Sequence, residues 1–255
     1  MIFDTHAHYD DKAFDEDRDK VLASMKQNNI VKIVNVGANI EGSERSVALS
    51  ESLDFVYAAV GVHPDDAAEV NEEGLAKLAK LAENEKTVAI GEIGLDYYWN
   101  KENKEIQTEA FVKQIGLAKK LGLPIIVHSR EACLDTMDIL KENDAGINGG
   151  VIHCFSYSPE VAFQAIDMGF NIGIGGVVTF GNGKKLKDVV EAVPIEKIVL
   201  ETDCPYLAPA PHRGERNSSL YLPLVVEMIA NIKNMKASDV EEITYGNACR
   251  MYKIQ

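Results

Sequence analysis

The stretch MIFDTHAHYD, residues 1–10, begins with a short apolar run and continues directly into two histidines. Its first part, MIFDTH at 1–6, is short enough to be a strand that is buried on both faces. No glycine follows this run, whereas an open doubly wound α/β sheet normally carries a glycine-rich phosphate-binding turn after its first strand. The stretch therefore favours the other common α/β architecture, a closed barrel, over an open sheet.

Seven further apolar runs follow, each rich in β-branched or small residues and bounded by turn residues: VKIVNVG (31–37), VYAAVGVH (56–63), VAIGEIG (88–94), PIIVHS (124–129), GGVIHCF (149–155), NIGIGG (171–176) and IVLETD (198–203). Amphipathic helical patterns lie between them, at 14–29, 105–121, 131–142, 158–168, 184–192 and 219–233, with a last helix capped by Ser238. Such alternation is typical of parallel βαβ units, and eight units fit a closed barrel. The sequence predicts an α/β fold, a single (β/α)8 TIM-type barrel domain that spans residues 1–255.

Bulk composition narrows the class of protein. The net charge of −14 argues against a protein that coats nucleic acid, although it leaves room for an enzyme that admits one strand end. The four cysteines are widely and irregularly spaced, which favours reduced thiols over disulfides. Neither an eighteen-residue apolar run nor a secretory signal is found, so we expect a cytoplasmic protein that has no membrane partner and is a monomer.

The two histidines after the first strand are candidate metal ligands. In an extended chain residues i and i+2 point to the same side, so His6 and His8 can both face the mouth of a barrel. Two imidazoles at this spacing suit a transition metal, although a histidine pair by itself is more often surface or packing.

Ionisable residues recur at the ends of later strands. Glu92 lies late in the fourth strand, and His128, His153 and Asp203 end the fifth, sixth and eighth. Charge is costly there unless it is paired or metal-bound, and these strand ends converge on the face of a barrel where active sites lie. The alternative, four separate buried polar residues satisfied by backbone, is less favoured because the set is so unusual.

Six candidate ligands exceed the four that a single zinc ion needs, so we expect two divalent metal ions. Glu92 is the natural bridge between them, and zinc, manganese or magnesium are the candidates, with the histidines favouring the first two. We expect attack by a metal-bound hydroxide, with Asp203 as a ligand that also accepts the proton of the water.

Other polar residues are candidates for contact with substrate or ligands. His63 ends the third strand, and we favour contact with a phosphate or leaving group over a backbone-bonded histidine. Arg130 could hold a phosphate or a carboxylate, and Glu201 could orient a ligand histidine or pair with Arg130. Strand alternation should send Cys154 and Cys204 away from the metals. Of the loop after the eighth strand, Arg213 is the preferred phosphate contact, with Arg216 and Asn217 beside it; a solvated charged loop is the alternative.

The aromatic residues Tyr97, Tyr98 and Trp99 follow the fourth strand. They could stack a nucleobase at the barrel mouth, or cover the junction between helices and barrel. We expect at least one of them to be core packing.

The motifs together resemble the TatD family of metal-dependent deoxyribonucleases, within the amidohydrolase-like barrel superfamily. The resemblance spans the chain and rests on DTHAHYD (4–10), GVHP (61–64), AIGEIGLDYYW (89–99), PIIVHSRE (124–131), GVIHCFS (150–156) and LETDCPYLAPAPHRGERN (200–217). It implies the same barrel and the same six ligands, and its motif favours Arg213. Our candidate catalytic residues are Asp203, Glu92, His63 and Arg213. The resemblance also implies phosphodiester hydrolysis, with DNA ends as the usual substrate class, and we expect a deoxyribonuclease that acts at 3′ ends. After RGERN the chain reads SSLY, where the family commonly has a proline.

Two other functions compete with this hypothesis. A metal-dependent amidohydrolase or deacylase, acting on a small molecule or on mischarged aminoacyl-tRNA, could use the same ligands. Many binuclear amidohydrolases bridge their metals with a carboxylated lysine, however, and Glu92 in that place favours the nuclease. A metal-dependent binding protein would not need a base such as Asp203.

Overall fold

Eight parallel strands alternate with helices in the computed structural model, which describes residues 1–254. The strands pair in chain order, each parallel to the next. They are β1 (Ile2–Ala7), β2 (Ile30–Val36), β3 (Val56–Val60), β4 (Thr87–Asp96), β5 (Ile125–Arg130), β6 (Gly150–Ile152), β7 (Phe170–Ile174) and β8 (Ile198–Leu200). This confirms the predicted (β/α)8 barrel.

Hydrogen bonds between the first and last strands bring the two edges of the sheet together. The Thr5 hydroxyl donates to the Leu200 carbonyl oxygen at 2.9 Å, and the His8 amide donates to the Cys204 carbonyl oxygen at 2.8 Å. A single parallel bridge joins Ala7 to Cys204. Because these bonds lie at the ends of β1 and β8, they fix the residues after β8 against those after β1.

Nine α-helices are found within residues 1–254: α1 (Arg18–Ala23), α2 (Ile40–Ser52), α3 (Glu72–Leu81), α4 (Lys104–Leu121), α5 (Cys133–Glu142), α6 (Pro159–Asp167), α7 (Lys184–Ala192), α8 (Leu222–Lys233) and α9 (Ala237–Tyr252). The helices predicted between 105 and 233 are confirmed to within a few residues. Within the described chain, none of the helices has both the length and the apolar character to cross a membrane.

Two helices were not predicted. In α2 the buried face consists of Gly42, Ser43, Ser46, Val47 and Ser50, so the helix lacks the stripe of large apolar residues on which prediction relies. Its start is nevertheless marked, because the Asn39 side chain accepts a hydrogen bond from the Gly42 amide. In α3 the leucines at 75, 78 and 81 recur every three residues, a spacing that predicts a helix and was overlooked.

Two predicted helical features were wrong. The pattern at 14–29 is one short helix, α1, between two 3₁₀ turns, and Asn29, with φ 66°, ends the segment after the second turn. Ser238 does not cap α9. It lies inside the helix, which begins at Ala237 after the extended residue Lys236 and has no side-chain cap.

The barrel interior holds its own apolar cluster. Phe3, Val34, Ala59, Ile126 and Val199 come from strands on all sides and pack together, which is possible only inside the barrel. The helix α9 covers the amino ends of the strands, where the Tyr252 hydroxyl donates to the Thr5 carbonyl oxygen and Met251 joins the cluster. The opposite, carboxyl ends of the strands are left to form a site.

Candidate metal centre

The carboxyl ends of the strands bring all six predicted ligands together. His6, Glu92 and His128 lie within strands, and the other three follow within three residues of a strand end. We call this set the metal floor: His6, His8, Glu92, His128, His153 and Asp203.

One half of the metal floor is built from β1 and the residues after β8. The Nε2 atoms of His6 and His8 lie 3.0 Å apart. Glu92 Oε2 is 3.4 Å from His6 Nε2, and Asp203 Oδ1 is 3.4 Å from His8 Nε2. Two imidazole nitrogens and two carboxylate oxygens therefore converge on one small volume.

The other half lies across Glu92. Its second oxygen, Oε1, is 2.6 Å from His153 Nε2 and 2.7 Å from His128 Nδ1. Those two nitrogens are 3.3 Å apart. The two oxygens of one carboxylate thus face two separate histidine pairs, which is the arrangement expected of a bridging ligand.

The donor set fits divalent cations. The Nδ1 atom of His8 lies 2.8 Å from the Val36 carbonyl oxygen, so Nδ1 carries a proton, and in the neutral ring that would bind a cation the lone pair is on Nε2, which faces the floor. His6 Nδ1 and His153 Nδ1 are buried and have no hydrogen-bond partner among residues 1–254, and the two rings stack at 4.0 Å. Clustered neutral imidazoles and carboxylates are ligands of transition metals. The triad His6, His8 and Asp203 can itself converge on one ion.

Electrostatics ties the metal floor together. Burial disfavours the ionised carboxylate of Glu92, but the positive potential of His153 and hydrogen bonds with His128, His153 and His6 hold its pKa well below the usual range. Burial likewise opposes the charged form of His8, yet the hydrogen bond with Asp203 and the nearby carboxylates raise its pKa to about 9. The floor is therefore a site where positive charge is favoured, which is what a cation supplies.

Sequence reasoning missed Asp96, the last residue of β4. Its Oδ2 lies 3.1 Å from His128 Nε2, and its Oδ1 accepts from the backbone amides of Tyr98 and Trp99, both at 2.9 Å. A carboxylate on the far nitrogen of a ligand histidine orients that ring. The signal was available, because Asp96 follows Glu92 by four residues in an extended strand, but the predicted strand stopped at Gly94.

A second missed residue is Asp4, which is fully buried in β1. It accepts hydrogen bonds from the His6 amide at 3.2 Å, the Thr202 hydroxyl at 2.7 Å and the Ser219 hydroxyl at 2.6 Å. Burial raises the pKa of Asp4 to about 6, although these hydrogen bonds favour the ionised carboxylate and lower it. Asp4 therefore holds the backbone of β1 to the residues after β8, between the ligands His6 and Asp203.

Glu201 lies beneath the floor. Its Oε1 accepts from the Cys154 amide, and one ligand atom each from His6, His153 and Glu201 lie within 4.8 Å of one another. A β-carbon at Gly173 would come within 2.3 Å of Glu201 Oε2, so the glycine makes room for this carboxyl group. No ion pair with Arg130 is found in the described part of the chain.

The sequence predicted His63 at the end of the third strand, but the residue lies three positions past the end of β3. Its Nδ1 accepts from the Asp65 amide at 3.2 Å, and its Nε2 is 4.0 Å from Glu92 Oε1. The hydrogen bond places the ring proton on Nε2, facing the metal floor. Burial and the like charge of His128 lower the pKa of His63 although Glu92 opposes them.

The three arginines predicted to contact substrate do not lie together, and only Arg130 lines the cavity. Arg130 lies with its guanidinium 4.3 Å from the ring centre of Tyr98, at the mouth of the cavity. Arg213 covers the Phe180 ring at 4.5 Å, outside the residues that line the cavity. Arg216 forms a bidentate ion pair with Asp17, at 2.7 and 2.8 Å.

The remaining predicted residue, Asn217, is fully buried. Its side chain donates to the carbonyl oxygens of Thr202 and Tyr206, at 2.8 and 2.7 Å. These bonds hold the loop after β8 in place, next to Asp203, rather than offering the amide to a substrate.

Local backbone geometry overturns the prediction for Cys154. Its φ of 45° interrupts the strand alternation, so its sulfur lies 3.9 Å from Asp203 Oδ2 and does not point toward the helices. Asp203 is also left-handed, with φ 56°, a conformation that aspartate tolerates better than most residues. Cys204 is fully buried, as expected.

A cavity of about 1660 Å³ opens above the metal floor. This exceeds the roughly 300–1,000 Å³ of sites for small molecules, so there is room for part of a polymer. Floor and mouth residues line it together, among them His63, Glu92, Asp203, Trp99 and Arg130.

This chain is similar to known proteins over nearly its whole length and theirs. Residues 3–253 match the family described as TatD related DNase. A Bacillus subtilis protein named as the uncharacterized metal-dependent hydrolase YabD is 46% identical over all of both chains. A Cronobacter sakazakii protein named 3′-5′ ssDNA/RNA exonuclease TatD is 32% identical, with 98% of this chain and 97% of that one covered. The crystal structure of YJJV, a TatD homolog from Escherichia coli, superposes with a TM-score of 0.93 at 30% identity, covering 100% of this chain and 98% of that one.

Proposed function

We propose, because this chain belongs to the TatD family and is a metal-dependent hydrolase, that it cleaves phosphodiester bonds at the 3′ ends of nucleic acid, with DNA as its main substrate. The Cronobacter relative, named as an exonuclease of single-stranded DNA and RNA, supports this substrate class. The net charge of −14 makes the capture of a strand end more plausible physically than the coating of a long duplex.

The observation that carries the proposal is the position of Glu92. Its two oxygens face two histidine pairs on opposite sides, so we assign His6, His8 and Asp203 to one cation and His128 and His153 to a second. Zinc and manganese suit these donors best. Two such cations would supply Lewis acidity, which lowers the pKa of water and neutralises the charge that develops on a phosphoryl group.

Asp203 is the residue that would accept a proton from the attacking water. Burial works against its ionisation, but the hydrogen bond with His8 and the positive potential of His6 and His153 lower its pKa. The carboxylate is therefore ionised at neutral pH, and it lines the cavity, where it can reach a water molecule next to the scissile bond.

His63 would position the phosphate. Its Nε2 carries a proton, because Nδ1 accepts from the Asp65 amide. From the wall of the cavity this N–H can donate to a non-bridging phosphate oxygen. Its lowered pKa keeps the ring neutral, so His63 contributes a hydrogen bond and no competing charge.

The test is the hydrolysis of end-labelled single- and double-stranded DNA by metal-stripped protein, resupplied in turn with magnesium, manganese and zinc. The Asp203→Asn variant, purified in parallel, controls for contaminating nucleases. We expect metal-dependent shortening from the 3′ end that disappears in the variant. If no metal restores cleavage although two ions bind, the nuclease proposal fails. Aminoacyl-tRNA and small amides then become the substrates to assay.

A further inference from the structure

Two exposed aromatic side chains lie together beside the cavity, and one of them, Trp99, lines it. Tyr98 is 51% exposed and Trp99 is 65% exposed, and their rings meet edge to face at 4.7 Å. A planar ring with two thirds of its surface accessible presents at least one face to the solvent. Exposing so much apolar surface costs free energy, and an exposed aromatic patch beside a cavity marks a binding surface.

Their neighbour Tyr97 shows what an ordinary packing role looks like in the same turn. It packs against the hydrophobic core, and its hydroxyl donates to Asp135 at 2.7 Å. This fulfils the expectation that at least one of the three is core packing. Tyr98 and Trp99 differ in that their rings face outward.

A cation completes the exposed pair. The guanidinium carbon of Arg130 lies 4.3 Å from the ring centre of Tyr98 and 5.7 Å from that of Trp99. Within residues 1–254 Arg130 has no carboxylate partner, so its charge is available to a phosphate. We call Tyr98, Trp99 and Arg130 the aromatic platform.

The aromatic platform is fixed relative to the metal floor by one carboxylate. Asp96 Oδ1 accepts from the amides of both Tyr98 and Trp99, and Asp96 Oδ2 contacts the ligand His128. The Tyr97 amide also donates to the Arg130 carbonyl oxygen at 2.9 Å. Trp99 and Arg130 therefore line the same cavity as the ligands at a set position.

Charge around the mouth favours this side. The opposite wall carries five carboxylates, of Asp10, Asp11, Asp15, Asp19 and Glu41, against Lys12, Arg18 and Arg45, and both arginines are paired with members of that acidic set. The platform side carries Arg130 and Lys185, for which no ion pair is found among the described residues, and two carboxylates, Asp65 and Asp96, which accept from Asn100 and contact His128. A phosphodiester chain leaving the metal floor is repelled from the first wall and attracted to the second.

We propose that the aromatic platform is a nucleobase-stacking subsite for the single-stranded end of a nucleic acid. One base stacks on Trp99, and Arg130 contacts the adjoining phosphate, while the scissile phosphodiester lies over the metal floor. Stacking requires a base that is not already stacked in a duplex, so the subsite selects unpaired ends. The inference rests on the proposed nuclease function and adds to it the residue on which a base of the strand stacks, Trp99.

The test uses a feature of the sequence: Trp99 is the only tryptophan in the chain, so tryptophan fluorescence reports on this position alone. The Asp203→Asn protein with zinc is titrated with a short oligodeoxyadenylate, and separately with an abasic oligomer of equal length and charge. We expect saturable quenching by the base-bearing strand and little by the abasic strand. Equal quenching by both would overturn the proposal, because it would mean contact with phosphates only.

Variants provide a second measurement, the anisotropy of a labelled oligodeoxyadenylate. We expect Trp99→Ala to weaken binding by roughly 5- to 150-fold, the range that corresponds to the loss of one base–aromatic stack, and Trp99→Phe to retain most of it. Phe163→Ala is the matched control, because Phe163 is exposed on α6 outside the cavity. All variants are made in the Asp203→Asn protein, and equal affinity with and without Trp99→Ala would refute the subsite.

Failure of the subsite and failure of the function are distinguishable. Cleavage of DNA without base-dependent quenching removes the subsite and leaves the nuclease. Absence of cleavage with every metal removes the nuclease itself, whatever the fluorescence shows, and the stacking proposal falls with it.

Discussion

The metal floor and the aromatic platform lie in one cavity but are held in opposite ways. Each floor ligand contacts another ligand, and His6 is wholly buried. The platform is exposed, and Tyr98 and Trp99 are held by hydrogen bonds from their backbone amides to the Asp96 side chain and by contacts with each other and with Arg130. Because the floor ligands contact one another, we expect any substitution among them to reduce metal binding or turnover strongly. Substitutions at the platform should reduce oligonucleotide affinity by smaller amounts.

The largest effect is expected from Asp203→Asn. The amide cannot accept a proton as the carboxylate does, so turnover should fall by on the order of 10²–10⁴-fold or more. His6, His8 and Glu92 remain as ligands, so the metal content should stay largely intact. Cleavage of end-labelled DNA, combined with elemental analysis of the purified variant, tests this. Full activity in Asp203→Asn would remove Asp203 from the mechanism.

Glu92→Gln should affect metal content first and activity as a consequence. Among residues 1–254, Glu92 is the only one whose two oxygens approach both histidine pairs, at 3.4 Å on one side and 2.6 Å on the other. The neutral amide keeps the size of the side chain but loses the negative charge that would bridge two cations. We expect the loss of at least one metal ion per chain by elemental analysis. Retention of two ions at wild-type affinity would contradict the bridging role.

Asp96→Asn tests the connection between the two regions. The side-chain oxygen can still accept from the Tyr98 and Trp99 amides, but the charge that faces His128 Nε2 is removed. We expect metal affinity to fall by about 10- to 100-fold, with base-dependent quenching of Trp99 preserved. Asp96→Ala should disturb both readouts. If Asp96→Asn left metal affinity unchanged, the floor would not depend on this carboxylate.

The same contrast explains what the sequence could predict. The barrel and the convergence of six ligands followed from the sequence because strand ends in a parallel barrel meet on one face, and pairing along β1, β4 and β5 fixes side chains such as His6, Glu92 and His128. Loop residues have no such constraint. Arg213 and Arg216 follow the ligand Asp203 closely in sequence, yet one covers Phe180 and the other pairs with Asp17.

Asp96 and Cys154 show the limits at the strand ends themselves. The extension of β4 by two residues placed Asp96 against His128, and a positive φ at Cys154 turned its side chain toward Asp203. Both depend on where a strand stops and how the chain leaves it. Apolar patterns determine these boundaries poorly, because the residues involved are polar and lie outside the repeating pattern.

A pH series on metal-stripped protein should show a moderate effect. Burial opposes the protonated forms of His8 and His128, but hydrogen bonds with Asp203 and with Asp96 and Glu92 raise both pKa values from 6.5 to about 9. A raised pKa stabilises the fold fully below pH 6.5, and this contribution is lost as the pH rises through 9. We expect the Tm to fall by several degrees across that window. Zinc should flatten the curve, because the cation replaces the protons; an equally steep curve with zinc would place the ion elsewhere.

The smallest effect is expected from Arg216→Ala. Its ion pair with Asp17 lies at the surface, where solvent screening leaves exposed pairs with little effect on stability, so the Tm should shift by roughly 2–4 °C at most. Metal content and DNA cleavage should not change, because Arg216 does not line the cavity. Arg130→Ala is the matched comparison: it removes the same charge from the aromatic platform and should weaken oligonucleotide binding with little effect on the Tm. If Arg216→Ala weakened binding as much as Arg130→Ala, the loop after β8 would contact substrate, as the sequence had suggested, and the platform would not be the principal cationic contact of this cavity.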